Sequence, residues 1–215
     1  MPKMNDAQTL EQFRVALENA TNNATIAASL AEIGYDETVI NEGKALLQTA
    51  QTAFNTNQTE DDETTVAYST FTEKKETIES AYRTHRKKAK VIFRTDPVTL
   101  DTLALKGIVP KAYVAWVQAV KKFYDTANAS EEIKTMLARL AITEAELTAA
   151  LTAISELEAA RAEYLREKGE SQEATQAKDK ALAELSTWMS DFYAVARIAL
   201  EDQPQLMEAL GKVVR

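Results

Sequence analysis

The chain has 215 residues, with 25 lysines and arginines against 33 aspartates and glutamates, a formal net charge of −8 and no cysteine. The missing cysteine excludes disulfides, thiolate nucleophiles and cysteine-held metals, and fits a reducing, cytoplasmic setting. At 45% apolar and 27% charged residues, a soluble protein with a sizeable core is expected. The opening MPKMNDAQTLEQF lacks a signal peptide's apolar stretch and no segment reaches the ~18 unbroken apolar residues of a spanning helix, so no membrane partner is expected.

Proline and glycine are scarce, the stretches between them are rich in good helix formers, and strand-like alternation is missing, which predicts an all-α fold. In chain order, helices are expected near 6–22 and 24–33, then two long ones near 36–59 and 64–94, then a short one near 97–105. NTNQTEDDETT, residues 55–65, has low hydrophobicity and self-repelling acids, which predicts a mobile tip between the two long helices. A second set follows near 110–128, 131–140, 143–168, 171–201 and 204–210. In TEAELTAALTAISELEAARAEYLREKG, Thr143 and Glu146 form a capping box, and Leu147, Ala150, Ile154, Leu157 and Tyr164 share a face. Ala181, Leu185, Trp188, Phe192, Val195 and Ala199 line the next helix. A turn at Gly169 would make the pair an antiparallel hairpin.

The two sets are related by one constant, gap-free shift. It carries Leu30-Ala31 onto Leu137-Ala138, Pro97 onto Pro204, Ala89 onto Ala196, and Ile40, Leu47 and Ile78 onto Leu147, Ile154 and Leu185. The register predicts an up-down helical bundle built from two tandem, pseudo-symmetric repeats, residues 1–107 and 108–215, packed as one domain.

One segment runs against the acidic whole. AYRTHRKKAKVIFRTDP, residues 81–97, carries seven lysine, arginine and histidine side chains between Arg83 and Arg94. At 100° per residue, Arg83, Arg86, Lys87, Lys90 and Arg94 form a stripe beside the apolar face of Ile78, Ala81, Tyr82, His85, Ala89, Ile92 and Phe93. The matching positions of the second set hold Ser190, Tyr193, Ala194, Arg197 and Glu201, so the stripe belongs to the first half alone. The helix macrodipole accounts for Lys90 and Arg94 but not for Arg83, three turns from the end; a solvated face is the other plain reading. Read functionally, these five residues are a candidate interaction surface that the fold does not require. No aromatic residues interleave with it and the net charge opposes nucleic acid, so an acidic protein surface is the expected partner, including the Glu60–Glu63 run of a second copy. Anion or nucleic-acid binding is the alternative.

No catalytic constellation is visible. The single histidine, His85, matches Phe192 and reads as structural. Without cysteine or a second histidine no metal centre or cofactor is expected, and no phosphate-binding glycine loop occurs. Tyr113, Trp116, Phe123 and Tyr124 share one helix and read as core packing. WMSDFYAVARIALEDQPQLMEALG, residues 188–211, resembles the C-terminal end of a group of uncharacterised bacterial helical proteins. The resemblance implies a bacterial all-α protein and brings no activity. The expected function is a non-enzymatic structural or protein-interaction module.

Overall fold

The computed structural model describes residues 4–212, and these form eight helices and no strand. They are α1 (Asp6–Asn22), α2 (Ala24–Glu32), α3 (Glu37–Ile92), α4 (Pro97–Thr102), α5 (Tyr113–Ala129), α6 (Glu131–Ala138), α7 (Glu144–Ala199) and α8 (Leu206–Ala209). No described helix is long and apolar enough to cross a membrane.

Most helix starts are written locally. The orphan N–H groups of a first turn need acceptors. Asn5 and Gln8 close a reciprocal capping box on α1, and the Asn23, Asp36, Asp96 and Ser130 side chains cap α2, α3, α4 and α6. The expected Thr143–Glu146 box caps α7, with Thr143 N–H donating to Glu146 at 2.7 Å and Glu146 N–H donating to Thr143 Oγ1 at 3.2 Å.

Four residues after helices adopt positive φ: Gly34 (88°), Ala104 (51°), Ala141 (52°) and Gly211 (75°). Each lets a following N–H reach back to a carbonyl of the last turn, as Tyr35 does to Leu30 and Ile142 to Leu137. Alanine bears a steric penalty of about 1 kcal/mol in this conformation that glycine escapes.

The long helices correct one expectation. No tip interrupts 55–65 and no turn occurs at Gly169, because α3 and α7 run unbroken for 56 residues each. The hairpins expected within each half are therefore absent, and with them the up-down order of separate long helices. A single interior glycine costs a helix only about 1 kcal/mol, and the acidic run contains no proline. Tertiary contacts on both sides outweigh these penalties. Asn57 donates to Thr175 at 3.1 Å and Ser171 to Asp61 at 2.6 Å, while the Tyr68 and Phe71 rings lie 5.2 and 6.1 Å from that of Tyr164.

The chain gathers into two compact units, each drawing on both sequence halves. Unit 1 comprises α1, α2, α3 as far as Asp62, α7 from Gly169, and α8. There α3 and α7 run antiparallel, as the Gly43–Trp188 and Asn57–Thr175 contacts show. Leu10, Leu17, Ile26, Leu30, Leu185, Phe192 and Leu210 anchor its core. Gln12 and Asn19 of α1 donate to the carbonyls of Gly211 and Ala209 at 2.9 and 2.7 Å, tying the closing segment down. Unit 2 comprises α3 from Glu63, α4, α5, α6 and α7 up to Lys168. Its core is built on Tyr82, Phe93, Leu103, Phe123, Tyr124, Leu137, Leu147 and Leu157. The aromatic residues of α5 pack there as expected, Tyr82 meeting Phe123 edge to face at 5.6 Å.

Candidate functional site

The basic segment lies in unit 2 on the last turns of α3. Burial of Ile78, Tyr82, His85, Ala89 and Phe93 orients the helix, and the i, i+3, i+4 spacing then places the cations along its edge. The structure divides them. Arg83, Arg86, Lys87 and Lys90 line a cleft of about 300 Å³, closed by Glu79, Tyr82, Val109 and Trp116. Arg94 is exposed and takes no part in it.

Arg86 is only partly exposed, and its Nη2 donates to the carbonyls of Leu105 and Gly107 at 2.9 and 3.0 Å. It thus holds the segment that follows α4 against α3. Of the five stripe residues, Arg86 is the one whose side chain is hydrogen-bonded to backbone outside its own helix. A helical wheel shows which residues share a face but not which backbone later folds across it.

The remaining cations have few internal partners. Arg83 meets Glu79 at 3.3 Å with its side chain 67% exposed, a pair worth little in water. Lys87 and Lys90 make no ion pair or hydrogen bond among the described residues. Partial desolvation, and secondarily the Arg86 guanidinium, hold the Lys90 amine below the ordinary lysine value. Burial raises the Tyr82 phenol above its usual range, and Arg86 opposes that shift.

Two polar atoms of the lining are buried without a hydrogen-bond partner, Arg86 Nε and Trp116 Nε1. Both can only donate. A buried unpaired donor costs about 1–3 kcal/mol, and native interiors rarely keep one. The residues lining the cleft therefore carry N–H donors and positive charge, with Glu79 the single carboxylate among them. Such a lining suits an acceptor-rich anion and repels a metal cation.

The cations are legible in the sequence and the Trp116 wall is not. Trp116 packs in the core as the sequence implies, at 3% exposure, and it also lines the cleft beside the stripe. Only the packing of α5 on α3 brings the two together. No local spacing encodes that, and the unpaired indole N–H is the signal that exposes it.

His85 is buried, and its Nδ1 shares a 3.0 Å hydrogen bond with the Tyr124 hydroxyl. Burial, the largest influence, holds its pKa below the ordinary histidine value. Glu146 opposes the shift and Lys88 reinforces it. Burial also pushes the Tyr124 phenol well above its usual range. This pair joins α3 to α5 inside the core, in agreement with a structural histidine.

Comparison of the chain with protein-family models, with curated proteins and with solved structures gave no match.

Proposed function

We propose that the chain is a duplicated, non-catalytic helical binding module whose unit 2 cleft receives the carboxylates of an acidic protein segment. The duplication is supported by element bounds. The step from Asp6 to Tyr113 and from Asn22 to Ala129 is the same as that from Glu37 to Glu144 and from Ile92 to Ala199. Four of the five positive-φ residues pair at this interval too, Gly34 with Ala141 and Ala104 with Gly211. Equal cap conformations at equal offsets are what two copies of one folding pattern would keep.

The binding reading is carried by one observation: two residues with buried, unpartnered, donor-only nitrogens, Arg86 and Trp116, line a cleft together with three further cations. Carboxylate oxygens supply acceptors and negative charge together, and charge-assisted bonds are the stronger kind. The shape favours a protein segment over nucleic acid. The cleft takes a side chain, Trp116 is too buried to serve as a stacking platform, and the net charge of −8 opposes a polyphosphate backbone. A non-catalytic role is consistent with a cleft that holds no nucleophile beside a base.

The test is calorimetric titration of a short poly-glutamate peptide and, separately, a single-stranded oligonucleotide into the wild type and the Lys87→Gln/Lys90→Gln double variant. Arg86 is left intact because it is hydrogen-bonded to the Leu105 and Gly107 carbonyls. Saturable peptide binding should weaken with salt and drop about tenfold in the variant. Oligonucleotide binding with the steeper salt dependence of phosphate contacts would replace this reading with the nucleic-acid one. No binding of either, or peptide binding indifferent to the variant, overturns both. Gel filtration alongside reveals whether a second copy supplies the acidic segment.

A further inference from the structure

Unit 1 contains a cleft of about 230 Å³ lined by Phe13, Ser186, Met189, Ser190, Tyr193, Arg197 and Lys212. Five of these are the repeat counterparts of residues that line the unit 2 cleft. Ser186 matches Glu79, Met189 matches Tyr82, Ser190 matches Arg83, Tyr193 matches Arg86 and Arg197 matches Lys90. The two clefts thus occupy matching places on α7 and α3, with different chemistry at four of the five positions and a cation kept at the fifth, Arg197 for Lys90.

We infer that the unit 1 cleft is a second ligand site, specific for a small organic monocarboxylate with an apolar body. Its apolar wall is Phe13 and Met189, both largely buried. Its polar side carries Arg197 and Lys212, neither of whose side chains forms an ion pair or hydrogen bond among the described residues. Lys212 Nζ lies 4.0 Å from the centre of the Tyr193 ring. Burial, and then the nearby Arg197, hold this amine below its ordinary value, as expected of two cations facing a common space with no acid between them.

The second observation is the Tyr193 hydroxyl. The residue is 4% exposed and its oxygen is buried with no hydrogen-bond partner. Burial pushes its pKa up to about 12, so it keeps its proton and can donate to a carboxylate. Where unit 2 holds Arg83 and Arg86, unit 1 has Ser190 and Tyr193, neutral groups that hydrogen-bond without adding charge. Two cations in place of four select a monoanion over a multiply charged segment, and the apolar wall selects a carbon body over a bare inorganic anion.

This inference uses the matched register of the proposed duplication, but its test does not depend on poly-glutamate binding. Benzoate, hexanoate and inorganic phosphate are titrated separately into the full chain and followed by amide chemical shifts. Saturable shifts with benzoate or hexanoate should centre on Phe13, Ser186, Ser190 and Tyr193. Binding should weaken about tenfold in Arg197→Gln, as loss of a charge-assisted contact implies, and should vanish in Ser190→Leu, which fills the mouth. Both positions are exposed, so both variants should fold, and unchanged amide shifts elsewhere verify it. Lys87→Gln/Lys90→Gln should leave carboxylate binding intact. Phosphate binding more tightly than either carboxylate overturns the assignment. So does the absence of saturable shifts in the wild type, or binding that Arg197→Gln leaves unchanged.

Discussion

The two units solve one packing problem with different side chains. In unit 1, Gly43 leaves room for Trp188, whose ring stacks on Phe192 at 5.6 Å and 9°. The positions of unit 2 one interval along from Gly43 and Trp188 hold Ala150 and Ala81, both small. In unit 2 the aromatic weight moves to α5, where Phe123 and Tyr124 meet Tyr82. Each unit also holds a cleft, strongly cationic in unit 2 and mixed in unit 1. Packing volume can be redistributed between helices while the frame is kept, and the faces not needed for packing are then free to diverge in charge.

The largest expected effect comes from filling the hole. A Cβ on Gly43 would lie 2.4 Å from the Trp188 ring, a rigid group with no flexible end to yield. Gly43→Ala should therefore destabilise by about 2 kcal/mol in urea unfolding despite alanine's better helix propensity. Ala150→Gly in unit 2 meets no such ring and should cost only about 1 kcal/mol. Equal losses at the two sites would remove the contrast.

Arg86 and its neighbours come next. Arg86→Gln breaks two hydrogen bonds to backbone carbonyls and should cost about 1–3 kcal/mol. Lys87→Gln and Lys90→Gln, with no internal partners, should each stay within about 0.5 kcal/mol. Unfolding curves of the three single variants decide whether one stripe residue is structural and the others are not.

His85 gives unit 2 a pH dependence that Phe192, at the matching position of unit 1, cannot. Burial lowers the folded-state pKa from 6.5, so the unfolded chain takes up the proton first as pH falls. Stability contributed by neutral His85 is full above the ordinary value. It declines as pH drops through about 6.5 and levels off below the folded-state pKa. His85→Phe should flatten that part of the stability profile, and an unchanged slope would show that other groups set it.

The smallest effects are at the left-handed caps. Ala104→Gly and Ala141→Gly should each stabilise by up to about 1 kcal/mol, because glycine adopts positive φ without a Cβ clash. Gly34→Ala, where a Cβ would meet open space, should lose a similar amount through backbone strain alone. Thermal unfolding of the three variants measures both signs.

The sequence made some of this legible and left other parts closed. Helix starts and core faces followed from short-range rules, since Thr143, Glu146, Ile78 and Leu147 declare themselves within a few residues. Continuity of the long helices did not, because Gly169 and the Glu60–Glu63 run carry only a local penalty. Contacts such as Asn57 with Thr175, 118 residues apart, outweigh it. The cations of the unit 2 cleft were visible in the register and its indole wall was not. The unit 1 cleft was half visible, since Ser190, Tyr193 and Arg197 sit at positions already matched to the stripe. Their meaning needed Lys212 and Phe13, which only folding brings to them.

The central claim is that the unpaired Trp116 N–H and the cations beside it await an anionic acceptor. The chain has two tryptophans, so a nitrogen-labelled indole spectrum holds two N–H signals, assigned with Trp116→Phe. On titration with poly-glutamate, the Trp116 signal should move downfield to saturation while that of Trp188 stays in place. The shift should weaken in parallel with binding in Lys87→Gln/Lys90→Gln. A Trp116 signal that does not respond to peptide the protein demonstrably binds, or one that moves no more than Trp188, would contradict the account.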